Sequence, residues 1–152
     1  NIHIKHMKND ATLQKLSNFD NKSLLIVDND NPFRERLSRA MEKKGFEVLQ
    51  AESVKKGIDA VKTKKPGFAV VDLRLGDGNG LEVVKEIQTS NSSSRIIMLT
   101  GYGNIPTAVA AIKEGAIDYL AKPADADDVE KALLADPLKK LPRQKILCQL
   151  IE

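Results

Sequence analysis

Short apolar runs alternate along the chain with stretches in which apolar residues recur every three or four positions. The runs occupy residues 24–27, 46–50, 68–72, 95–99 and 117–120, and their length is typical of β-strands. Four of them are apolar at nearly every position, which is the pattern of strands covered by helices on both sheet faces. The run at 46–50 alternates between apolar and polar residues, so we predict that it forms an edge of the sheet.

The stretches between the runs have the spacing of apolar residues that is typical of helices, and they are flanked by residues that favour helix ends. Asn31 and Pro32 open the first stretch, Ser53 precedes the second and Asn104 precedes the fourth. Acidic residues within 125–128 begin the fifth, where they suit the positive end of a helix dipole. Five strands alternating with five helices predict an α/β fold with a doubly wound five-stranded parallel sheet. Right-handed crossovers favour the strand order 2-1-3-4-5.

The two ends of the chain lack this alternation. Residues 1–22 are expected to be a vector-derived leader followed by a flexible N-terminal arm, because they are polar and non-periodic. The compact domain is therefore predicted at 23–135. Asp136 and Pro137 interrupt the last helix, so we expect residues 136–152 to form a linker stub or a short C-terminal helix, with an effector domain absent from this chain.

The composition excludes several classes of function. A chain of 152 residues with 41% hydrophobic content can form one domain with its own core. Its single cysteine, Cys148, excludes an internal disulfide, and no apolar run approaches the roughly 18 residues of a membrane span. Residues 23–135 contain 16 Lys/Arg and 17 Asp/Glu, so the +3 charge of the chain comes from its ends and indicates no nucleic-acid groove. We expect a cytoplasmic protein without membrane contact.

The residues that follow the predicted strands form a chemically distinctive set. Asp28 and Asn29 follow the first strand, Asp72 ends the third, Thr100 follows the fourth and Lys122 follows the fifth. Ligands bind at the carboxyl ends of the strands in such sheets, so we expect these side chains to converge. Clustered carboxylates favour a hard divalent cation such as Mg²⁺. Carboxylate, cation, lysine and hydroxyl are together the groups used in phosphoryl transfer.

Four sequence segments carry a specific resemblance. In chain order they are Leu-Ile-Val-Asp at 25–28, Val-Val-Asp at 70–72, Leu-Thr-Gly at 99–101 and Tyr-Leu-Ala-Lys-Pro at 119–123. With these segments, residues 23–135 resemble the receiver domain of a two-component response regulator, and the stretch around Asp72 is similar to the RegA/PrrA/ActR group. The resemblance implies a CheY-like (βα)5 fold and a switch that accepts a phosphoryl group from a sensor histidine kinase. It also implies bound Mg²⁺ and a homodimer through the face of the fourth helix, fifth strand and fifth helix. In that group a separate helix-turn-helix domain, absent here, binds DNA and controls transcription.

The resemblance also implies roles for individual residues. Asp72 would be the phosphoacceptor, Lys122 the phosphate-pairing lysine and Thr100 the switch hydroxyl, with Tyr119 as the aromatic that follows it. The peptide bond between Lys122 and Pro123 would be cis. The metal would be held by Asp28, Asn29, Asp72 and the backbone carbonyl of Arg74, with Asp30, Tyr102 and Pro123 on the rim of the pocket. Such a domain is not otherwise an enzyme, but it catalyses its own phosphorylation and slow dephosphorylation.

One position departs from the receiver pattern, because the second acidic residue is Asn29 here. The lost negative charge predicts weaker Mg²⁺ binding and slower phosphorylation, unless Asp30 compensates. It also leaves open a pseudo-receiver that binds partners without being phosphorylated. A further alternative is a phosphatase of the haloacid-dehalogenase type with Asp28 as nucleophile, although that reaction leaves Asp72 unexplained.

Overall fold

The computed structural model describes residues 16–101 and 105–135, which contain a five-stranded parallel sheet with helices on both faces. The elements in chain order are β1 Ser23–Val27, α1 Asn31–Lys43, β2 Glu47–Ala51, α2 Val54–Lys64, β3 Phe68–Asp72, α3 Gly80–Ser90, β4 Arg95–Thr100, α4 Ile105–Lys113, β5 Asp118–Ala121 and α5 Ala126–Leu133. The strand order is β2-β1-β3-β4-β5, which confirms the predicted doubly wound sheet. Every predicted strand is present, and its ends differ from the prediction by at most one residue.

The sheet divides the core into two layers, because alternate residues of a strand point to opposite faces. Leu25 and Val27 of β1 pack in the layer of α2, α3 and α4, whereas Leu24 and Ile26 pack in the layer of α1 and α5. All residues of β3 are buried, and so are all residues of β4 after the first. Burial on both faces is the reason that these strands read as continuous apolar runs. The alternating strand, β2, lies at the edge as predicted.

Side-chain caps mark the starts of α1, α2, α3 and α5, with Asn79 as the cap of α3. Asp30 precedes α1, and its Oδ1 accepts a hydrogen bond from an amide of the first turn at 3.1 Å, so the predicted helix start at Asn31 is confirmed. Ser53 caps α2 as predicted, and Asp125 caps α5. The predicted cap of α4, Asn104, lies outside the described residues.

The prediction of a flexible arm is wrong for the part of it that the structure describes. Leu16 lies in a helical turn, is 1% exposed and packs in the layer of α1 and α5. Phe19 packs edge-on against Phe68 with ring centroids 5.0 Å apart, and the Arg95 guanidinium lies 5.6 Å from the centroid of Phe19. These contacts join residues distant in sequence, so the local polar pattern could not reveal them.

The remaining predictions for the chain ends fall on residues that the structure does not describe. The leader, the segment 136–152 and Cys148 all lie there, so their assignments stay predictions. Among the helices within the described ranges, none has the length and apolar character needed to cross a bilayer.

A short ribbon that the sequence pattern does not predict follows β3. Arg74–Leu75 pairs antiparallel with Gly78–Asn79, and the turn between them carries Asp77. The Asp77 carboxylate accepts hydrogen bonds from the amides of Val54 at 2.8 Å and Lys55 at 3.1 Å, and these donors lower the pKa of Asp77. The loop after β3 is thereby tied to the first turn of α2.

Candidate functional site

Two aspartates meet at the carboxyl edge of the sheet because they end neighbouring strands. Asp72 is the last residue of β3, Asp28 directly follows β1, and β1 and β3 pair in parallel. The amide of Asp28 donates to the carbonyl of Ala51 at 3.0 Å, which extends the pairing of β1 with β2 and holds Asp28 against the sheet. Asp28 is 0% exposed and Asp72 is 7% exposed. Both carboxylates are therefore largely removed from water.

Lys122 reaches the same edge from β5. Its amide donates to the carbonyl of Thr100 at 2.9 Å, and its peptide bond with Pro123 is cis, as the resemblance implied. Its ammonium lies 2.8 Å from Oδ2 of Asp28 and 3.4 Å from Oδ2 of Asp72. The structure thus brings together the two aspartates and the lysine that were expected to converge, with the Lys122 ammonium in contact with both carboxylates.

The charges of this cluster are unbalanced. Burial, and after it the negative charge of Asp28, raise the pKa of Asp72 above its ordinary value by more than Lys122 lowers it. Burial alone would lower the pKa of Lys122, but its hydrogen bonds and attraction to Asp28 and Asp72 outweigh burial, so that pKa is raised. Lys122 therefore stays protonated. An ionised Asp72 is still disfavoured by burial and by repulsion from Asp28, and a further cation nearby would reduce this cost.

The oxygen donors at this edge suit a hard divalent cation. Mg²⁺ is usually held in proteins by one or two carboxylates together with water, and Asp28 and Asp72 supply two. Oδ1 of Asp28 accepts from the Asp30 amide at 2.8 Å, and Oδ1 of Asp72 accepts from the Arg74 amide at 3.4 Å, but each carboxylate oxygen has a second lone pair. Asn29, which directly follows Asp28 in the chain and is exposed, carries an amide oxygen.

Within residues 16–101 and 105–135, no third carboxylate is assembled around this pair. One oxygen of Asp30 is used to cap α1, which limits its ability to replace the charge missing at Asn29. In the two ranges that the structure covers, no group of three or more His, Cys, Asp or Glu side chains is arranged to hold a metal ion. The assignment of the metal to Asp28, Asn29 and Asp72 stays a prediction. These residues supply two carboxylates, one fewer than they would with an acidic residue at position 29.

Thr100 and Tyr119 lie on one face of the sheet. Thr100 ends β4, is 3% exposed, and its hydroxyl donates to the carbonyl of Gly101 at 3.1 Å. Met98 pairs with Tyr119 between β4 and β5, and Met98 and Thr100 point to the same face because they are two residues apart. The half-buried Tyr119 packs against the core layer of α2, α3 and α4. This placement allows the predicted coupling of the two residues, whose roles stay predictions.

The predicted rim is only partly within the described residues. Asp30, Arg74 and Pro123 are exposed around the carboxylate pair, whereas Tyr102 lies outside the described residues. The backbone carbonyl of Arg74 as a metal ligand stays a prediction.

A buried arginine that the sequence analysis missed supports the loop after β1. Arg34 is 8% exposed, and its Nη1 donates to the carbonyl of Asp28 and to Oδ1 of Asn31, both at 2.7 Å. Its Nε donates to Oε1 of Gln50 at 3.0 Å. Its position could have indicated this role, because it lies on the inward stripe of α1, three residues before Leu37. The guanidinium holds in place the backbone that carries Asp28.

An aromatic ring near the acidic pair was also missed. The ammonium of Lys122 lies 4.8 Å from the ring centroid of Phe33, within the range of a cation–π interaction. Phe33 is half-buried in the first turn of α1. Strand-end reasoning could not find it, because the residue belongs to a helix and no polar motif marks it.

The chain is similar to known proteins in sequence and in fold. The family model of the response regulator receiver domain matches residues 24–134. The acid tolerance regulatory protein ActR of Sinorhizobium medicae is 60% identical over 116 residues, which are 76% of this chain and 60% of ActR. The photosynthetic apparatus regulatory protein RegA of Rhodobacter capsulatus is 58% identical over 114 residues, which are 75% of this chain and 62% of RegA. The chain therefore spans about three fifths of the length of these relatives.

Solved structures of the same fold extend the comparison. A response regulator protein from Burkholderia pseudomallei, crystallised with a phosphorylated aspartic acid, a calcium ion and citrate, matches with a TM-score of 0.73 and 32% identity over 85% of this chain and 72% of its own. The receiver domain of NtrX from Brucella abortus matches with a TM-score of 0.66 and 29% identity over 74% of this chain and 99% of its own. The family match, the relatives and the fold lead to one conclusion: this chain belongs to the response regulator receiver domain family.

Proposed function

We propose that this receiver is a phosphorylation switch in which Asp72 accepts a phosphoryl group from the phosphohistidine of a sensor histidine kinase. The observation that carries the proposal is the difference between the two aspartates beside Lys122. The side chain of Asp28 is 0% exposed, and each of its oxygens accepts a hydrogen bond at 2.8 Å. The side chain of Asp72 is 10% exposed, and the hydrogen bonds that its oxygens accept from Arg74 and Lys122 are long, both at 3.4 Å. Asp72 is the carboxylate that an incoming phosphorus atom can reach.

In the transfer step, an oxygen of the Asp72 carboxylate attacks the phosphorus atom and forms the new P–O bond. The P–N bond of the phosphohistidine breaks, and its electron pair returns to the imidazole nitrogen of the kinase. The ammonium of Lys122, already 3.4 Å from Asp72, is close enough to pair with a phosphoryl oxygen. A divalent cation held by Asp28 and Asp72 would supply further positive charge for these oxygens.

The reverse change is hydrolysis of the acyl phosphate. A water oxygen attacks phosphorus, the P–O bond to Asp72 breaks, and inorganic phosphate and the free carboxylate result. The same residues thus catalyse both phosphorylation and slow dephosphorylation of the domain itself, without turning over a separate substrate.

The signal would leave the site through Thr100 and Tyr119. The hydroxyl of Thr100 turns from the carbonyl of Gly101 towards the phosphoryl group, and Tyr119 takes the vacated space on the same sheet face. This change alters the face of α4, β5 and α5, through which two receivers associate. The phosphoryl group makes more favourable contacts after Thr100 and Tyr119 have moved than before. This difference in contact energy shifts the equilibrium towards the moved arrangement.

Membership in the family supports proposals for the partners and the location of the protein. Response regulator receiver domains interact with histidine kinases, and the similarity to ActR and RegA supports a cytoplasmic regulator of transcription. Control of transcription is proposed to use a DNA-binding domain other than the receiver residues that the family model matches.

Labelling with acetyl phosphate and millimolar Mg²⁺ tests the proposal by intact-protein mass spectrometry. We expect wild type to gain one phosphoryl group, Asp72→Asn to gain none, and Asp59→Asn, an exposed helix position, to behave as wild type. Labelling that persists in Asp72→Asn but disappears in Asp28→Asn would instead indicate a nucleophile at Asp28. A wild type that is never labelled would indicate a pseudo-receiver, the reading that Asn29 leaves open.

A further inference from the structure

We propose that Phe33 is a positioning residue that holds the ammonium of Lys122 over the Asp28–Asp72 pair. The inference rests on the proposed function, because it concerns the same phosphoryl-transfer site. The ring centroid of Phe33 lies 4.8 Å from Nζ of Lys122. The ammonium therefore has three neighbours that favour positive charge: two carboxylates and the electron-rich face of an aromatic ring.

The ring has a defined position relative to the acidic pair, because a short relay of hydrogen bonds joins them. Oδ1 of Asp28 accepts from the Asp30 amide at 2.8 Å, and Oδ1 of Asp30 accepts from the Phe33 amide at 3.1 Å. The guanidinium of Arg34 adds a hydrogen bond to the Asp28 carbonyl at 2.7 Å. The loop that carries the acidic residue and the helical turn that carries the ring thus form one supported unit.

The surroundings of the ring suggest why an aromatic residue is useful here. Phe33 also lines a groove of about 310 Å³ between α1 and the connection from β5 to α5, with Pro123 and Ala124 on the other wall. The side chain of Lys122 is 25% exposed, and its flexible stem could carry the ammonium out towards the solvent. Because the Phe33 ring both lines this groove and lies next to the ammonium, it restricts that motion.

An aromatic face also suits the movement that phosphorylation requires. Lys122 has to exchange its contact with the Asp72 carboxylate for one with a phosphoryl oxygen. A third carboxylate in the place of the ring would compete for the same N–H donors, whereas the ring attracts the charge as a whole and leaves the donors available. Phe33 therefore keeps the ammonium near the reacting atoms without fixing it to one oxygen.

The test compares Phe33→Leu with two matched variants. Phe33→Tyr keeps an aromatic face at the same position. Phe19→Leu removes a different half-buried ring that also lies near a cation, Arg95, but packs on Phe68 in the core layer of α1 and α5. Urea unfolding first establishes that each variant is folded, so that the NMR and labelling measurements are made on folded protein.

The first readout is the NMR signal of the Lys122 ε-methylene group, recorded without phosphodonor. A ring above the ammonium shifts these protons upfield. We expect the shift in wild type, in Phe33→Tyr and in Phe19→Leu, and its loss in Phe33→Leu. The second readout is the kinetics of Asp72 labelling by acetyl phosphate, where Phe33→Leu should lower the maximal rate about two- to fivefold while the half-saturating phosphodonor concentration changes little.

The two readouts separate this inference from the proposed function. If Lys122 methylene signals in Phe33→Leu equal those of wild type, or if Phe19→Leu slows labelling as much as Phe33→Leu does, the positioning role is wrong. If Asp72 is not labelled in any variant, the proposed function fails, and the methylene signals alone decide whether Phe33 holds the ammonium. Should Phe33→Leu not fold, Phe33→Met replaces it with the same expectations.

Discussion

The ammonium of Lys122 lies closer to Asp28 than to Asp72, with Nζ at 2.8 Å from Oδ2 of the first and 3.4 Å from Oδ2 of the second. The ammonium thus offsets the negative charge of the fully buried Asp28 more than that of Asp72. Asp72 receives less compensation, and burial together with the charge of Asp28 raises its pKa. Asp72, the proposed phosphoacceptor, is therefore the aspartate of the pair whose negative charge Lys122 offsets less.

Removal of the shared cation should strongly destabilise the fold. Lys122→Met leaves two buried carboxylates without their common partner, and breaking a buried ion pair in this way costs roughly 3–5 kcal/mol. Urea denaturation of metal-free protein at neutral pH measures the change. Lys55→Met, at an exposed position of α2, serves as the control and should lie within about 0.5 kcal/mol of wild type. A loss below about 1 kcal/mol for Lys122→Met would mean that the pair behaves like a surface ion pair.

The raised pKa of Asp72 predicts a specific pH dependence. Because burial and the charge of Asp28 raise the folded-state value, the contribution of Asp72 to stability is present below the unfolded pKa and is lost as the pH rises through the folded pKa. Asp72→Asn has no carboxyl group to ionise, so this variant does not lose stability in this way as the pH rises. In metal-free buffer we expect Asp72→Asn to be more stable than wild type at neutral pH and the difference to vanish near about pH 3.

Urea unfolding over this pH series checks the expectation, with the exposed Asp59→Asn as the control. A wild type that is more stable than Asp72→Asn at neutral pH would show that Lys122 outweighs both burial and Asp28.

Gly80, the first residue of α3, leaves no free space for a side chain. A Cβ there would lie 2.3 Å from the Asp72 carbonyl oxygen and 2.9 Å from Cγ1 of Val71, so the backbone that carries Asp72 would have to move. We expect Gly80→Ala to lose about 1–3 kcal/mol of stability and to label more slowly with acetyl phosphate. Gly76→Ala is the matched control, because a Cβ at that position meets nothing within 4 Å. Equal stability of the two variants would contradict the steric account.

The segment before β1 should contribute to the stability of the domain. Leu16 is 1% exposed in the layer of α1 and α5, so Leu16→Ala should cost roughly 2–5 kcal/mol in urea unfolding. Asn18→Ala, at an exposed position of the same turn, should change little. If both variants unfold at the wild-type midpoint, the segment does not belong to the core in solution.

Restoration of the missing acidic residue should tighten metal binding. Asn29→Asp adds a negative charge next to the Asp28–Asp72 pair, and a charge at 4 Å from an ion contributes about 1 kcal/mol even at the dielectric constant of water. We therefore expect roughly fivefold or tighter Mg²⁺ binding by isothermal titration calorimetry, and faster labelling by acetyl phosphate. Equal affinities for wild type and Asn29→Asp would show that the amide at position 29 does not limit the site.

Much of the fold and the centre of the site could be predicted from local sequence. The strands were recognisable because burial on both faces requires continuous apolar residues, and Ser53 marked a helix start because its side chain satisfies a free amide nearby. Asp28, Asp72 and Lys122 were predicted to converge because the topology of a parallel sheet brings the ends of its strands to one edge. Each of these predictions depends on a period or a rule that short stretches of sequence carry.

The tertiary structure alone decided how the site is supported. Phe33 over Lys122, Arg34 on the carbonyl of Asp28, and Asp77 at the start of α2 are contacts between elements. Leu16 likewise joins the core through residues far along the chain. Such contacts depend on how helices and loops pack in three dimensions, and neither hydrophobic period nor local capping rules encode the partner of a particular side chain.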